Sequence, residues 1–131
     1  MKSAFSLLEL NFAIVILGIV ASFAIPKYID TKDSALVSTI KRDLNTAVSS
    51  LQSYYLLNQK IDKITDSINI TTTNWNIEDL KISDKNGCLS LEINKTKTPI
   101  TIDLKVDTTK TSSICTKIRD SGLVTQSYEV Y

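Results

Sequence analysis

Few residues of this chain could carry chemistry, and their types disfavour catalysis. The sequence has no histidine, which removes the commonest general base and the commonest metal ligand. Glycine occurs only at positions 18, 87 and 122, so no glycine-rich phosphate loop is present. Two cysteines are too few for a structural zinc site. We therefore predict a chain that is not an enzyme, with no catalytic residue, no metal and no cofactor.

The residue with the clearest functional signal is Glu9, a carboxylate inside an apolar run. It is the one formal charge between Leu7 and Ile25. A run of about 20 apolar residues can cross the roughly 30 Å hydrocarbon core as a helix. A carboxylate there costs several kcal/mol unless it finds a partner or a proton, so Glu9 is predicted to be functional. Lys2 precedes the run, and the positive-inside bias predicts that the C-terminal bulk is exported.

The Ala4-Phe5 pair, a small residue followed by a bulky one, offers Glu9 a partner. If the chain were cut between them, the new α-amine of Phe5 would lie about one helical turn from Glu9. A positive amine and a carboxylate could then neutralise each other, best of all between neighbouring helices.

These features together resemble the type IV pilin family, which includes the pseudopilins of type II secretion and of DNA-uptake machines. The similarity is carried by KSAFSLLEL at residues 2–10, by Gly18 in the apolar run and by AIP at residues 24–26. It implies that the prepilin peptidase, a membrane aspartyl peptidase, cuts between Ala4 and Phe5 and N-methylates Phe5. The family usually has Gly before the cut, where this chain has Ala4. The similarity is close over about residues 2–28.

The same resemblance implies roles for three further residues. Glu9 would neutralise charge during assembly, and the helix would loosen or bend between Gly18 and Pro26. Pro26 also removes one backbone hydrogen bond, so a bend without a stop is predicted there. A packing notch for another helix is the alternative interpretation of Gly18. An ordinary signal peptide cleaved after Ala24, or a plain anchor, is the alternative for the whole stretch.

The fold prediction is α+β, a long N-terminal helix packed on a small antiparallel sheet, as in pilins. Apolar residues at helical spacing predict one helix over about 5–58 whose second half covers the head. Alternation over 88–94 and 100–106 predicts an antiparallel hairpin. A short strand is expected within 77–82, a short helix within 112–120 and an edge strand within 123–131. The lone tryptophan, Trp75, is expected to pack the head against the helix.

The two cysteines, Cys88 and Cys115, both lie on the side predicted to be exported. An even count there suggests one disulfide in an oxidising compartment, with two buried thiols as the alternative. The bridge would close a loop of about 27 residues, worth about 3–4 kcal/mol in the chain-entropy model.

Two weaker patterns occur in the head. Some secretion pseudopilins bind calcium in a C-terminal loop, which draws attention to Asp103 and Asp107, but solvated carboxylates remain our interpretation. Asn69-Ile-Thr71 and Asn94-Lys-Thr96 fit the N-glycosylation acceptor pattern. Glu92 precedes the second by two residues, which resembles the extended acceptor of some bacteria. In a chain rich in Asn and Thr, the pattern alone favours chance.

We therefore predict a structural subunit, a pseudopilin or minor pilin of a pilus, secretion or DNA-uptake filament. Residues 1–4 would be the leader, 5–27 the membrane and assembly helix, and 28–131 the periplasmic head. The subunit would be held in the bacterial inner membrane and then join a pseudopilus or surface pilus. Expected partners are the prepilin peptidase, other subunits, the inner-membrane assembly platform and lipid. The net charge of +1 gives no case for nucleic acid outside DNA uptake. A tethered or secreted periplasmic binding module is the alternative.

Overall fold

The protein was analysed as a computed structural model, which describes residues 4–131. They fall into two compact units that divide between Asp33 and Ser34. Helix α1, Leu7–Asn58, belongs to both units. The predicted helix ends at the residue expected, but it begins two residues later than predicted because Ala4, Phe5 and Ser6 are not helical.

In the first unit the side chains of α1 are exposed almost without exception. The helix continues through Gly18 and Pro26, so neither residue ends it. A Cβ atom added to Gly18 would meet no atom within 4 Å. The hydroxyl of Ser22 donates to the carbonyl of Ile19 at 2.6 Å, which satisfies that polar group inside the helix.

In the second unit α1 contributes one buried stripe to the core of the head. The stripe has the four- and three-residue spacing that the sequence predicted, and its fully buried members are Val37, Ile40, Leu44, Ala47 and Leu51. No proline or glycine interrupts α1 after Pro26, so this stripe stays on one face. Loop residues following α1 include a single 3₁₀ turn, Ile64–Asp66, whose Ile64 is also buried.

The head contains a five-stranded antiparallel sheet in which sequence neighbours are also spatial neighbours. The strands are β1 Trp75–Ile77, β2 Lys81–Asp84, β3 Leu89–Asn94, β4 Thr101–Val106 and β5 Gln126–Glu129. Together with α1 they form the predicted α+β arrangement, a long helix packed on a small antiparallel sheet, as in pilins.

The central hairpin, β3 and β4, confirms the alternation in the sequence. Leu91 pairs with Leu104, and Ile93 pairs with Ile102. All four side chains are buried, because every second residue of each strand faces the core. The intervening residues of β3, such as Glu92, are half-buried on the opposite face.

The segment before this hairpin differs from the prediction. One short strand was expected within 77–82, but the structure has two strands, β1 and β2, which pair with each other. The chain reverses between them, where the N–H of Glu78 donates to the carbonyl of Lys81 at 2.8 Å. Only three residues of β1 pair, so its alternation was too short to be recognised.

Helix α2, Ser113–Asp120, follows β4 and confirms the short predicted helix. Ser112 caps it by accepting a hydrogen bond from the N–H of Cys115. Gly122 lies just beyond its end with φ of 95°, a conformation that favours glycine. Cys115 forms a disulfide with Cys88, as the cysteine count suggested, and so ties α2 to the start of β3.

Candidate functional site at the start of the apolar helix

Two side chains close the start of α1 with reciprocal hydrogen bonds. The N–H of Ser6 donates to Oε2 of Glu9 at 2.8 Å, and the N–H of Glu9 donates to Oγ of Ser6 at 3.2 Å. This is a capping box, in which Ser and Glu three residues apart satisfy backbone donors that the first helical turn leaves unpaired. It also explains why the helix begins at Leu7, not at Phe5.

The capping box fixes one oxygen of Glu9 and leaves the other available. Among residues 4–131, Oε1 of Glu9 accepts no hydrogen bond. The neighbours of Glu9 along the chain, Leu8 and Leu10, are 65% and 53% exposed. A negative carboxylate near the helix N-terminus also interacts favourably with the helix dipole. Glu9 can therefore serve its own helix and still bind a cation that comes from outside the chain.

The bond between Ala4 and Phe5 lies just outside the helix. Both residues are exposed, and the Phe5 side chain is 89% accessible. Because this bond lies outside the helix, no helical hydrogen bond has to be broken before a peptidase can act on it. The predicted cleavage site is thus accessible, although Lys2 and Ser3 lie outside the described residues.

The apolar surface of the first unit surrounds the helix and is not confined to one stripe. Leu17, Phe23 and Ile25 are 67%, 75% and 59% exposed. A helix that is apolar on all sides belongs in a protein core or in lipid. This helix is long and apolar enough to cross a membrane, judged by its length and composition. Within its own unit nothing covers this surface among the residues described.

The head places its one tryptophan as the sequence predicted. Trp75 is 1% exposed, and its indole N–H donates to Oδ2 of Asp43 at 3.0 Å. Asp43 belongs to α1 and Trp75 to β1, so this bond joins the helix to the first edge of the sheet. The contact is part of the packing of the head and leaves no open aromatic face for stacking a ligand.

The loop between β4 and α2 tests the calcium hypothesis. Nη1 of Arg119 donates to the carbonyl of Asp107 at 3.1 Å and to the carbonyl of Lys110 at 2.7 Å. Carbonyl oxygens of this kind are typical calcium ligands, but here a guanidinium already occupies them. Among residues 4–131, no three His, Cys, Asp or Glu side chains are grouped to hold a metal. The carbonyls of Asp107 and Lys110 therefore bind the guanidinium of Arg119.

The two carboxylates that suggested calcium have local partners instead. The hydroxyl of Ser127 donates to Asp103 and is the main reason why the pKa of Asp103 lies below its ordinary value. The hydroxyl of Thr109 does the same for the pKa of Asp107. Hydrogen bonds to the ionised form stabilise it, so both groups remain charged at neutral pH.

Three residues of these sites were not recognised from the sequence. Ser6 had a readable signal, because Ser-x-x-Glu before an apolar run is a capping pattern. Asp43 and Arg119 had none, since their partners Trp75 and Asp107 lie 32 and 12 residues away. Such contacts form only when the tertiary fold brings distant parts of the chain together.

Comparison with known proteins shows similarity over part of the chain. Over 57 residues the chain is 35% identical to the type II secretion system core protein G of Pseudomonas aeruginosa. The match covers 44% of this chain and 40% of that protein, so the chain spans less than half of the relative's length. No family model matches the chain, and no solved structure matches it significantly. This partial similarity supports a pseudopilin-like structural role for the chain.

Proposed function

We propose that the chain is a structural subunit, a pseudopilin or minor pilin, of a filament related to type IV pili and type II secretion pseudopili. The observation that carries the proposal is the exposed apolar surface of the first unit. Its apolar side chains are exposed on every side of α1, and Glu9 is placed at the start of that surface. An apolar surface of this extent needs lipid before assembly and other helices after it.

The path to the filament begins in the inner membrane. The prepilin peptidase cuts the exposed bond between Ala4 and Phe5 and methylates the new amine of Phe5. The head, with its disulfide between Cys88 and Cys115, lies in the periplasm, where disulfides form and persist. The assembly platform of the inner membrane then transfers the subunit from lipid into a bundle of like helices.

Glu9 sets the position of each new subunit in this proposal. Its Oε2 caps its own helix. Its Oε1 accepts a hydrogen bond from the α-amine of Phe5 of the adjacent subunit. In a filament core that excludes water, an unpaired amine or carboxylate costs several kcal/mol. Arrangements of neighbouring subunits in which the two charges do not meet are therefore disfavoured. Loosening of the helix between Gly18 and Pro26 would let neighbouring helices pack closely.

The experiment that tests this function is the intact mass and N-terminal sequence of the protein from native membranes. A chain that begins at Phe5 and carries one extra methyl group is the expected result. A chain that begins at Ile25 would instead indicate a secreted head and favour a periplasmic binding module. A chain that still carries residues 1–4 would contradict processing and leave the helix as an anchor.

A further inference from the structure

The turn between β3 and β4 presents an asparagine in a defined setting. Asn94 is the last residue of β3, and the next five residues, Lys95–Pro99, are all exposed. Because side chains alternate across a strand, Glu92 and Asn94 lie on the face of the sheet opposite Ile93, which is buried in the core. A large group attached to Asn94 would extend into solvent without disturbing the core.

The side-chain amide of Asn94 is bonded to Thr96, the threonine that the N-glycosylation acceptor pattern requires. Both the N–H and the hydroxyl of Thr96 donate to Oδ1 of Asn94, at 3.0 Å and 2.6 Å. These two donors hold the carbonyl oxygen of the Asn94 side chain in one orientation. The two residues of the Asn-x-Thr pattern are therefore also in contact, because the Thr96 hydroxyl is bonded to the side-chain amide of Asn94.

A carboxylate lies at the nitrogen end of the same amide. Nδ2 of Asn94 donates to Oδ2 of Asp103, on the neighbouring strand, at 3.4 Å. The hydrogen bond from Ser127 is the main reason why the pKa of Asp103 lies below its ordinary value. The second N–H of Asn94 donates to no group among residues 4–131. One side of the amide is thus oriented while one N–H remains available to an enzyme.

We propose that Asn94 is an acceptor site for an N-linked oligosaccharide in the exported chain. The extended acceptor of some bacteria has a carboxylate two residues before the asparagine, and Glu92 supplies it on the same face of β3. The donor is a lipid pyrophosphate-linked oligosaccharide, and the catalyst is a membrane oligosaccharyltransferase. The inference rests on the proposed function in one respect, which is that the head must be exported.

The reaction balances as a simple glycosyl transfer. The bond between the anomeric carbon and the phosphate oxygen breaks, and its electron pair leaves with the lipid pyrophosphate. A new bond forms between the anomeric carbon and Nδ2 of Asn94. Nδ2 loses one proton to a base of the transferase, and nothing is oxidised or reduced.

The second Asn-x-Thr pattern of the chain serves as an internal control. Asn69 is an exposed residue of the loop between α1 and β1, but the residue two before it is Ser67, which is not acidic. Among residues 4–131, no bond joins the hydroxyl of Thr71 to Asn69, unlike the one between Thr96 and Asn94. We therefore expect Asn69 to stay unmodified under conditions that modify Asn94.

The first measurement is peptide mass spectrometry of the full chain purified from the native cell envelope. A saccharide mass on the peptide that contains Asn94, and none on Asn69, is the expected result. An unmodified Asn94 in a chain that has its disulfide would overturn the site, because the disulfide reports exposure to the compartment of transfer. The N-terminus of the same sample separately tests the filament proposal.

A second measurement removes the dependence on export. The oxidised full chain in detergent is incubated with a bacterial oligosaccharyltransferase and its lipid pyrophosphate-linked donor. We expect Asn94→Gln and Thr96→Val to abolish transfer, Glu92→Gln to reduce it at least tenfold, and Thr96→Ser and Asn69→Gln to leave most of it. Transfer that persists in Asn94→Gln, or no transfer to the unaltered chain, would refute the proposal.

Discussion

Ser6 and Glu9 hold each other at the start of the apolar helix, each through its backbone N–H and its side-chain oxygen. Glu9 is therefore both a cap of its own helix and, in the proposed filament, the counter-charge for a neighbour. The two roles need different properties of the side chain. A cap needs only an oxygen acceptor, whereas neutralising an amine needs a negative charge.

Glutamine at position 9 separates these roles. Glu9→Gln keeps an oxygen that can accept from the N–H of Ser6 but removes the charge, while Glu9→Ala removes both. We expect both variants to be cleaved after Ala4 and neither to form filaments, since the amine of Phe5 stays unpaired in a core of low dielectric. Immunoblots of the processed form and electron microscopy of sheared filaments measure the two steps.

Ser6→Ala is the matched control for this experiment. It removes the hydroxyl cap, which costs about 0.5–2 kcal/mol of helix stability, and leaves the charge of Glu9 in place. We expect filaments to form in reduced number. If Glu9→Gln assembled as well as the unaltered chain, the carboxylate would be a cap alone and the neutralisation hypothesis would be wrong.

Trp75→Phe tests the bond between the sheet and the helix. The substitution keeps an aromatic ring but leaves the half-buried carboxylate of Asp43 without its indole donor. A lost hydrogen bond to a charged group costs about 1.5–3 kcal/mol, and the cavity left by the smaller ring adds to the loss. Unfolding of the detergent-solubilised chain followed by circular dichroism measures the sum. Asp43→Asn keeps an oxygen acceptor and should cost less. Equal losses in the two variants would contradict this account.

Arg119→Ala tests how the loop between β4 and α2 is held. The variant loses donors to the carbonyls of Asp107 and Lys110, so we expect a loss of about 1–3 kcal/mol. Arg119→Lys should restore part of it, because one ammonium cannot reproduce the planar guanidinium. Adding calcium or a chelator should leave the melting temperature of the unaltered chain unchanged. A rise with calcium would show that the guanidinium can be replaced and that the loop is a metal site.

Asp103 predicts a pH dependence with a defined sign. Its pKa in the folded state is lowered, mainly by Ser127, so the unfolded state binds more protons as the pH falls. The stabilisation is present above the unfolded pKa of about 3.9 and is lost as the pH falls through the folded-state pKa. The stability difference between the unaltered chain and Ser127→Ala should therefore be constant near neutrality and shrink in acid. A difference that grew in acid would contradict this assignment.

The sequence predicted those parts of the fold that repeat a local pattern. The stripe that includes Ile40 and Leu44, and the alternation that includes Leu91 and Leu104, each recur several times, so single exceptions do not hide them. Strand β1 has three residues, too few for a repeat to appear. The start of the helix was placed two residues early because a pattern of apolar residues does not show where backbone donors find a cap.

The geometry of the candidate site could not be predicted from the sequence. The position of Glu9 in an apolar run predicts a functional carboxylate, whereas its bond to Ser6 depends on the conformation of the first turn. The contacts of Asp43 and Arg119 with distant residues could not be predicted, because local patterns contain no information on which distant segments come into contact. The arrangement of Thr96 on Asn94 is local, yet it needs the hairpin turn to form.

The position of β5 has a consequence for the order in which the head folds. β5 pairs with β4, and beyond it Val130 is buried, with its N–H bonded to the carbonyl of Ile100. Until residues 126–130 join the sheet, β4 is an open sheet edge, the kind of surface on which chains aggregate. The sheet is thus complete at this edge only after residues 126–130 have paired with β4, and until then the head can associate with other chains through β4.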